Sequence, residues 1–203
     1  MAKRCLESGG KGEQFMPGKN AIRSNWYVIQ VRSTTERAIC RQVEQVCAEH
    51  DEAVEDDASR IGLRECFSPR FKTQRKWKGQ WQDVEHLLFS GYVIADARNP
   101  EQLAIAISRI SGLCRLLSSE EAYVPLNEGE RAWVERQTHK GDRVIPMSFA
   151  HKVGDDLEVM EGPLKGYTGR ILKVDRQNSL AHLEFHVGQM TIKTKVGLAV
   201  VPE

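Results

Sequence analysis

The spacing of hydrophobic residues divides the chain into two parts. Between Trp26 and residue 138, short continuous apolar runs alternate with segments whose apolar residues recur every three to four positions. After residue 153, apolar and polar residues alternate one by one. Short apolar or alternating runs are typical of strands, and the three-to-four spacing is typical of amphipathic helices. The pattern therefore predicts a mixed α+β part followed by an all-β part.

The N-terminal part is predicted to be one sheet packed by helices. Trp26–Val31 is typical of a buried strand, and Leu87–Ala95 is the most apolar run of the chain. Ser33-x-x-Glu36 and Asn127-x-x-Glu130 are helix-start patterns, as is Asn99-Pro100 with its capping asparagine and first-turn proline. The resulting β-α-β-β-α-β-α order favours a single sheet covered by helices.

A long β-hairpin is predicted within this part. Arg64–Lys78 and Trp81–Ala95 would form its strands, with Lys78-Gly79-Gln80 at the tip. Its basic residues, the candidates for a nucleic-acid-binding hairpin, are Arg70, Lys72, Arg75, Lys76 and Lys78. Basic residues next to tryptophans suit a nucleic-acid surface, whereas lysine and arginine also protect an exposed edge strand from aggregation. The residues alone leave both interpretations open.

Glycine and proline residues organise the C-terminal part. In Glu161–Asp175, three glycines and a proline fall within eight residues and predict a tight turn between two strands. The period-two alternation around this turn predicts a small barrel of five strands. The predicted strands are Leu157–Met160, Thr168–Val174, Leu180–Val187, Met190–Val196 and Leu198–Val201.

These patterns divide the 203 residues into four segments. Residues 1–24 are predicted to be a flexible extension, because they are rich in glycine and charge and have no periodicity. Residues 25–138 would form the α+β domain, and residues 154–203 the barrel. Residues 139–153 show no regular pattern and are predicted to be a linker.

The composition limits the classes of function. The net charge is +1, so contact with nucleic acid requires local clusters of basic residues. The five cysteines contain no C-x-x-C pair, which favours reduced thiols and argues against a zinc site. No apolar run is long enough to span a membrane, and the N-terminus has no apolar signal core. We therefore expect a cytoplasmic protein.

Catalysis is not indicated by any motif. The glycine-rich segment lacks the G-x-x-x-x-G-K-[ST] order of a nucleotide-binding loop. The six histidines form no evident triad and no H-x-x-x-H pair on a predicted helix, because His182 and His186, which have this spacing, lie in a predicted strand. We therefore expect a binding protein without enzyme activity, cofactor or metal.

Three segments together resemble the NusG family of bacterial transcription elongation factors. Trp26–Val31 and Phe89-Ser90-Gly91-Tyr92-Val93 are similar to its N-terminal (NGN) domain, and Glu161–Gly169 is similar to its KOW domain. The family has proline where this chain has Ser90. The resemblance covers residues 25–203 and implies an α+β fold. This fold has an NGN domain with a mostly antiparallel sheet packed by helices, followed by an SH3-like, five-stranded KOW barrel.

The resemblance also implies partners for particular residues. In the family, the NGN domain binds the clamp helices of the large RNA polymerase subunit and disfavours pausing. By position, Phe89, Tyr92 and Ile94 would make this contact as an exposed apolar surface, and such anchors are suitable hot spots. The residues placed to approach non-template DNA are Arg32, Arg37 and Arg41, for which a solvated helix face is the alternative. We expect a monomer.

Three further segments resemble the LoaP paralogues, which are processive antiterminators of long biosynthetic operons. They are Arg64–Pro69, Lys78–Trp81 and Val144–Ser148. Such a paralogue would bind a hairpin of nascent leader RNA with its barrel. Residues 152–203 contain seven basic and seven acidic residues, so this function requires the cations to lie on one face. The candidate RNA-binding residues are Lys165, Arg170, Lys173, Arg176, Lys193 and Lys195.

Two alternatives stay open. A general NusG factor would use its barrel on Rho or a ribosomal protein, and a ribosome-associated KOW protein would need no polymerase-binding face. Some family members cover that face with a C-terminal domain refolded as helices. Here three glycines and a proline would be costly in a helix, so we expect the barrel to be the resting form.

Overall fold

The computed structural model describes residues 24–119, 122–154 and 156–201. Of the predicted extension, residues 1–23 lie outside this part. The described helices are α1 (Glu36–Ala53), α2 (Pro100–Ile107) and α3 (Glu128–Gln137). The described strands are β1 (Asn25–Val31), β2 (Glu65–Phe67), β3 (Arg70–Trp77), β4 (Gln80–Leu87), β5 (Tyr92–Ala97), β6 (Cys114–Leu116), β7 (Val144–Ile145), β8 (Ser148–Val153), β9 (Asp156–Glu161), β10 (Lys173–Asp175), β11 (Leu180–Val187) and β12 (Met190–Val201).

A four-stranded antiparallel sheet forms the centre of the N-terminal part. Its strand order is β2-β5-β1-β6. Because side chains alternate along a strand, Ile29 and Val93 pack with α1 and α2, while Val28 and Ile94 belong to the opposite face. The predicted α+β fold is confirmed.

Asparagine caps start α2 and α3 as predicted. Asn99 accepts a hydrogen bond from a backbone N–H of α2 at 3.2 Å, and Asn127 accepts one from the Gly129 N–H at 2.9 Å. The capping prediction for α1 is wrong, because this helix has no side-chain cap. The Glu36 carboxylate is buried instead and accepts the Gly91 N–H at 2.8 Å.

The predicted hairpin is confirmed with shorter strands. β3 and β4 pair along their full length and are joined by Lys78-Gly79, whose φ angles are 49° and 84°. Two positive φ angles match a two-residue turn to the twist of the strands, and glycine adopts them without strain. β7 pairs in parallel with the start of β3, giving a three-stranded sheet of order β4-β3-β7.

The barrel has five strands, the predicted number, but three of the five predicted strands differ from the observed ones. Its order is β10-β11-β12-β8-β9. The last two predicted strands are one, because β12 continues without interruption to Val201. The fifth strand is β8, which lies in the predicted linker and pairs in parallel with Leu198–Val201. Within the predicted strand Thr168–Val174, a 3-10 turn at Thr168–Arg170 delays the start of β10.

The predicted linker is ordered by its contacts with both domains. It contributes β7 to the hairpin sheet and β8 to the barrel. Arg143 in this segment forms an ion pair with Glu65 at 2.5 Å and lies over the rings of Trp26 and Phe67 at 5.2 and 4.5 Å. Residues 139–153 therefore hold the sheet and the barrel side by side.

The barrel packs on the face of the central sheet opposite α1 and α2. One hydrophobic cluster joins Val28 and Ile94 of the sheet, Trp133 of α3, and Leu183 and Phe185 of the barrel. Each of these side chains is at most 5% exposed. Burial of apolar surface is the main favourable contribution to packing, so the two domains are held together by a shared core.

Candidate functional site

The predicted polymerase-binding residues lie together beneath the barrel. Phe89 is 3% exposed, Ile94 is fully buried and Tyr92 is half-buried against the same cluster. The Phe89 ring packs edge-on against Phe185 of β11, with 5.0 Å between the ring centroids. The expectation of an exposed surface is therefore wrong for this arrangement, because the barrel covers it. Polymerase binding by these residues stays a prediction.

Polar contacts from α3 align the barrel on this face, which we call the covered face (Phe89, Tyr92 and Ile94). Glu130 is 1% exposed, and its Oε1 accepts the His186 backbone N–H at 2.5 Å and the Arg170 guanidinium at 3.3 Å. The indole N–H of Trp133 donates to the Pro163 carbonyl at 3.0 Å. Hydrogen bonds need defined distances and angles, so these contacts fix the orientation of the barrel.

The Glu130 carboxyl makes docking of the barrel sensitive to pH. Burial raises its pKa, and the His186 N–H and the Arg170 charge oppose only part of this shift. The docked state therefore binds a proton more tightly than a state in which Glu130 faces water. Docking should therefore strengthen as the pH falls from above the raised pKa of Glu130 to the ordinary pKa of glutamate. It should weaken as the pH rises over the same range.

Glu130→Gln is expected to remove this pH dependence and to keep an oxygen acceptor for the His186 N–H. Glu130→Ala leaves that buried donor unpaired and should weaken docking by about 1–3 kcal/mol. Small-angle X-ray scattering between acid and neutral pH measures the docked fraction of each variant. A wild-type docked fraction that rises with pH would contradict the assignment.

The structure separates the six candidate RNA-binding residues of the barrel. Strand pairing places Lys173 and Lys195 on either side of His182, in a cross-strand row that we call the basic row. Lys193 lies 3.9 Å from the Glu184 carboxylate. Two more candidates, Lys165 and Arg176, are exposed in separate loops, and Arg170 contacts Glu130. The cations do not share one face, as RNA binding was expected to require, and the basic row gathers two of them.

Acidic residues of β4 pair with two of the five candidate cations of the hairpin. Arg70 pairs with Glu85 at 2.5 Å, and Lys72 lies 4.0 Å from Asp83. Within the described residues, three cations of the hairpin have no ion-pair partner: Arg75, Lys76 and Lys78. The positive charge that remains is thus concentrated towards the tip.

The three arginines predicted to approach DNA are exposed. Arg37 and Arg41 lie four residues apart and share one face of α1. Arg32 follows β1, just before that helix. None of them is ion-paired to another residue in the described ranges.

Comparison with known proteins identifies the family. Residues 24–134, more than half of the chain, match the family described as "Transcription termination factor nusG", and residues 153–184 match the KOW motif. The chain belongs to the NusG family. This places it among the NusG-type transcription factors, which is the coarser part of the expectation from sequence.

Two proteins similar to this NusG-family chain share 20% or less of its sequence. It is 20% identical to the transcription termination/antitermination protein NusG of Rickettsia typhi over 167 residues, which cover 82% of this chain and 83% of that protein. A solved structure described as "Domain interaction in Thermotoga maritima NusG" is similar with a TM-score of 0.50 and 16% identity, over 89% of this chain and 96% of that one. This structural similarity supports the fold alone.

Sequence reasoning missed the residues that cover the face. Phe185 is identifiable only as one position of an alternating strand, and Glu130 only as part of a helix-start pattern. Trp133 is identifiable only as an apolar position of α3. A large aromatic residue in each element is a signal for burial, but the pattern does not show what buries it.

The described residues offer no site for a structural metal and no membrane span. No group of three or more His, Cys, Asp and Glu residues among them could hold a metal ion, and none of their helices is long and apolar enough to cross a bilayer. Cys40, Cys47, Cys66 and Cys114 are free. Burial raises the pKa of Cys47 to about 12 and that of Cys114 to about 11, so both thiols stay protonated.

Proposed function

We propose that this NusG-family chain is a processive antitermination factor that is directed by leader RNA. Its NGN domain binds the clamp helices of RNA polymerase through the covered face, and its KOW barrel binds a hairpin of nascent leader RNA. Bound to polymerase, it suppresses pausing and termination on specific operons. The observation that carries the proposal is the apolar cluster of Phe89, Tyr92 and Ile94 under a barrel that keeps its basic row exposed.

The barrel must leave the covered face before polymerase can bind there. Phe89 and Ile94 have almost no exposed surface while the barrel is docked. Polymerase and barrel therefore compete for the same side chains. The apparent affinity for polymerase is reduced by the small fraction of molecules in which the face is free.

Phe89→Ala is expected to weaken polymerase binding by about 2 kcal/mol or more, because aromatic anchors of this kind are hot spots. The effect is measured in a Phe185→Ala background, in which the barrel contact of Phe89 is already lost. Binding of a clamp-helix fragment by calorimetry gives the difference. Equal affinities of the single and double variants would exclude the covered face as the polymerase-binding surface.

Lys173→Gln is expected to weaken binding of hairpin RNA, because Lys173 belongs to the basic row and forms no ion pair with the rest of the described chain. Losing one phosphate contact should also reduce the log–log salt slope by about 1. Lys165→Gln, at an exposed position outside the row, is the matched control. If both variants bind hairpin RNA alike in filter-binding assays at several salt concentrations, the row is not the RNA surface.

The exposed arginines Arg32, Arg37 and Arg41 form the part of the proposal that concerns DNA. Arg32 follows the end of β1, and Arg37 and Arg41 lie on an exposed face of α1, whose buried residues pack on the side of the sheet away from the barrel. In this position they can contact phosphates of the non-template strand while the NGN domain is bound to polymerase.

A general NusG factor is the second candidate. It is supported by the name of the Rickettsia typhi relative, transcription termination/antitermination protein NusG, which includes termination as well as antitermination. Its barrel would bind Rho or a ribosomal protein. Transcript sequencing after deletion of the gene distinguishes the candidates: read-through lost on a few operons supports the specific factor, and changes spread over all transcripts support the general one.

A further inference from the structure

A groove of about 840 Å³ lies between the hairpin and the barrel. Its size falls within the roughly 300–1,000 Å³ of typical ligand pockets. The hairpin wall includes Arg75, Lys76 and Trp81, and the barrel wall includes Asn178, Lys193 and Lys195. Neither domain alone provides both walls.

The groove presents positive charge that is largely uncompensated. Arg75, Lys76 and Lys195 form no ion pair with any residue of the described ranges. Lys193 pairs with Glu184, but this contact is long, at 3.9 Å, and lies at the protein surface. One acidic residue, Asp175, lines the groove and accepts hydrogen bonds from the backbone and side chain of Asn178 at 3.1 and 2.8 Å, so four cations face a single carboxylate. A polyanion therefore complements the groove.

The groove also presents an aromatic ring to solvent. Trp81 is 65% exposed, although tryptophan is usually well buried in folded proteins. An exposed ring beside cations is the combination with which proteins stack the bases and bind the phosphates of single strands. Gln177 supplies a side-chain amide that can bond to a ribose 2′-hydroxyl.

We propose that this groove binds an unpaired segment of RNA, stacked on Trp81 and held between the two walls. The inference rests on the proposed function in so far as the ligand is RNA, and it adds a single-strand site that adjoins the hairpin-binding basic row and shares Lys195 with it. A groove of this volume is too small for a double helix. Because both domains form it, an RNA strand bound there favours the docked state, and polymerase binding promotes its release.

Trp81→Ala tests the stacking contact in the full chain. Fluorescence anisotropy of a short fluorescein-labelled oligouridine at low salt should show about 5- to 150-fold weaker binding. The matched control is Trp77→Ala, which removes a tryptophan that is 54% exposed and does not line the groove. The control should bind as the wild type does.

Two lysines, one on each wall, test whether the site spans both domains. With four cations in the groove, the log–log salt slope for a single strand should be about −3. The Lys76→Gln/Lys195→Gln double variant should reduce it to about −1.4. The control is Lys78→Gln/Lys165→Gln, with one change in the hairpin and one in the barrel outside the groove.

The outcomes separate this inference from the proposed function. If oligouridine binding is unchanged in Trp81→Ala, or sensitive to only one wall, the groove is not the single-strand site, although hairpin RNA still binds. If the wild type binds neither oligouridine nor hairpin RNA, the RNA-directed function itself fails. Equal affinity for oligodeoxythymidine would overturn the assignment to RNA, because the groove would then not distinguish the two kinds of single strand.

Discussion

Phe185→Ala is expected to release the barrel and to increase the affinity for RNA polymerase. The Phe185 ring is 3% exposed and packs edge-on against Phe89 at 5.0 Å and Trp133 at 5.6 Å. Truncating a buried phenylalanine costs about 3–5 kcal/mol. Because Phe185 packs against residues of the other domain, most of this cost should fall on docking of the barrel. About 3 kcal/mol corresponds to a factor of roughly 100 in the docking equilibrium.

Two measurements show whether the barrel is released. Small-angle X-ray scattering should give a larger radius of gyration, and a clamp-helix fragment should bind up to about 100-fold more tightly. Phe185→Leu keeps most of the buried volume and serves as the control, with a smaller effect on both. Circular dichroism checks that the barrel stays folded. Tighter polymerase binding without expansion, or expansion without tighter binding, would contradict competition for the covered face.

Gly197→Ala is expected to separate β12 from β3. A Cβ at this position would lie 2.1 Å from the Lys72 carbonyl oxygen and 3.1 Å from Met147 Cγ. The carbonyl belongs to the paired backbone of the hairpin, so it cannot move aside like a flexible side chain. Overpacking of this kind costs about 1–3 kcal/mol or more, and here the barrel can escape the clash by moving off the hairpin.

Gly169→Ala is the matched control, because a Cβ there meets no atom within 4 Å. Urea denaturation should show lower stability or a lost docking transition for Gly197→Ala alone. Gly197→Ala should also weaken oligouridine binding, since it disturbs the groove between β3 and β12. If the two glycine variants behave alike, the close approach of hairpin and barrel does not exist in solution.

Much of the fold could be predicted because short-range chemistry determines it. Asn99-Pro100 and Asn127 start helices by satisfying free N–H groups nearby in the chain. Lys78-Gly79 forms the hairpin turn for an equally local reason. By contrast, β8 is a strand through its pairing with two partners, β9 next to it in the chain and β12, whose paired residues lie 50 positions further along. Its own residues show no strand pattern.

The candidate site was predictable as a list of residues but not as a surface. Alternation alone places Tyr92 and Ile94 on one face of β5, and the structure has them there. The expected exposure of that face failed because another domain covers it. The barrel cations were likewise identifiable by type, but their grouping depends on strand register, which brings Lys173 and Lys195 together and leaves Lys165 elsewhere.

The sequence by itself determined the α+β part followed by an all-β part, the helix starts of α2 and α3, the hairpin turn and the resemblance to the NusG family, because these depend on neighbouring residues and their periodicity. Only the tertiary structure decided that the barrel lies on the covered face. Glu130 shows why: its place in a helix-start pattern is local, whereas its hydrogen bond to the His186 N–H joins residues 56 positions apart. Such contacts depend on the shape of two folded surfaces, and no spacing within one segment encodes them.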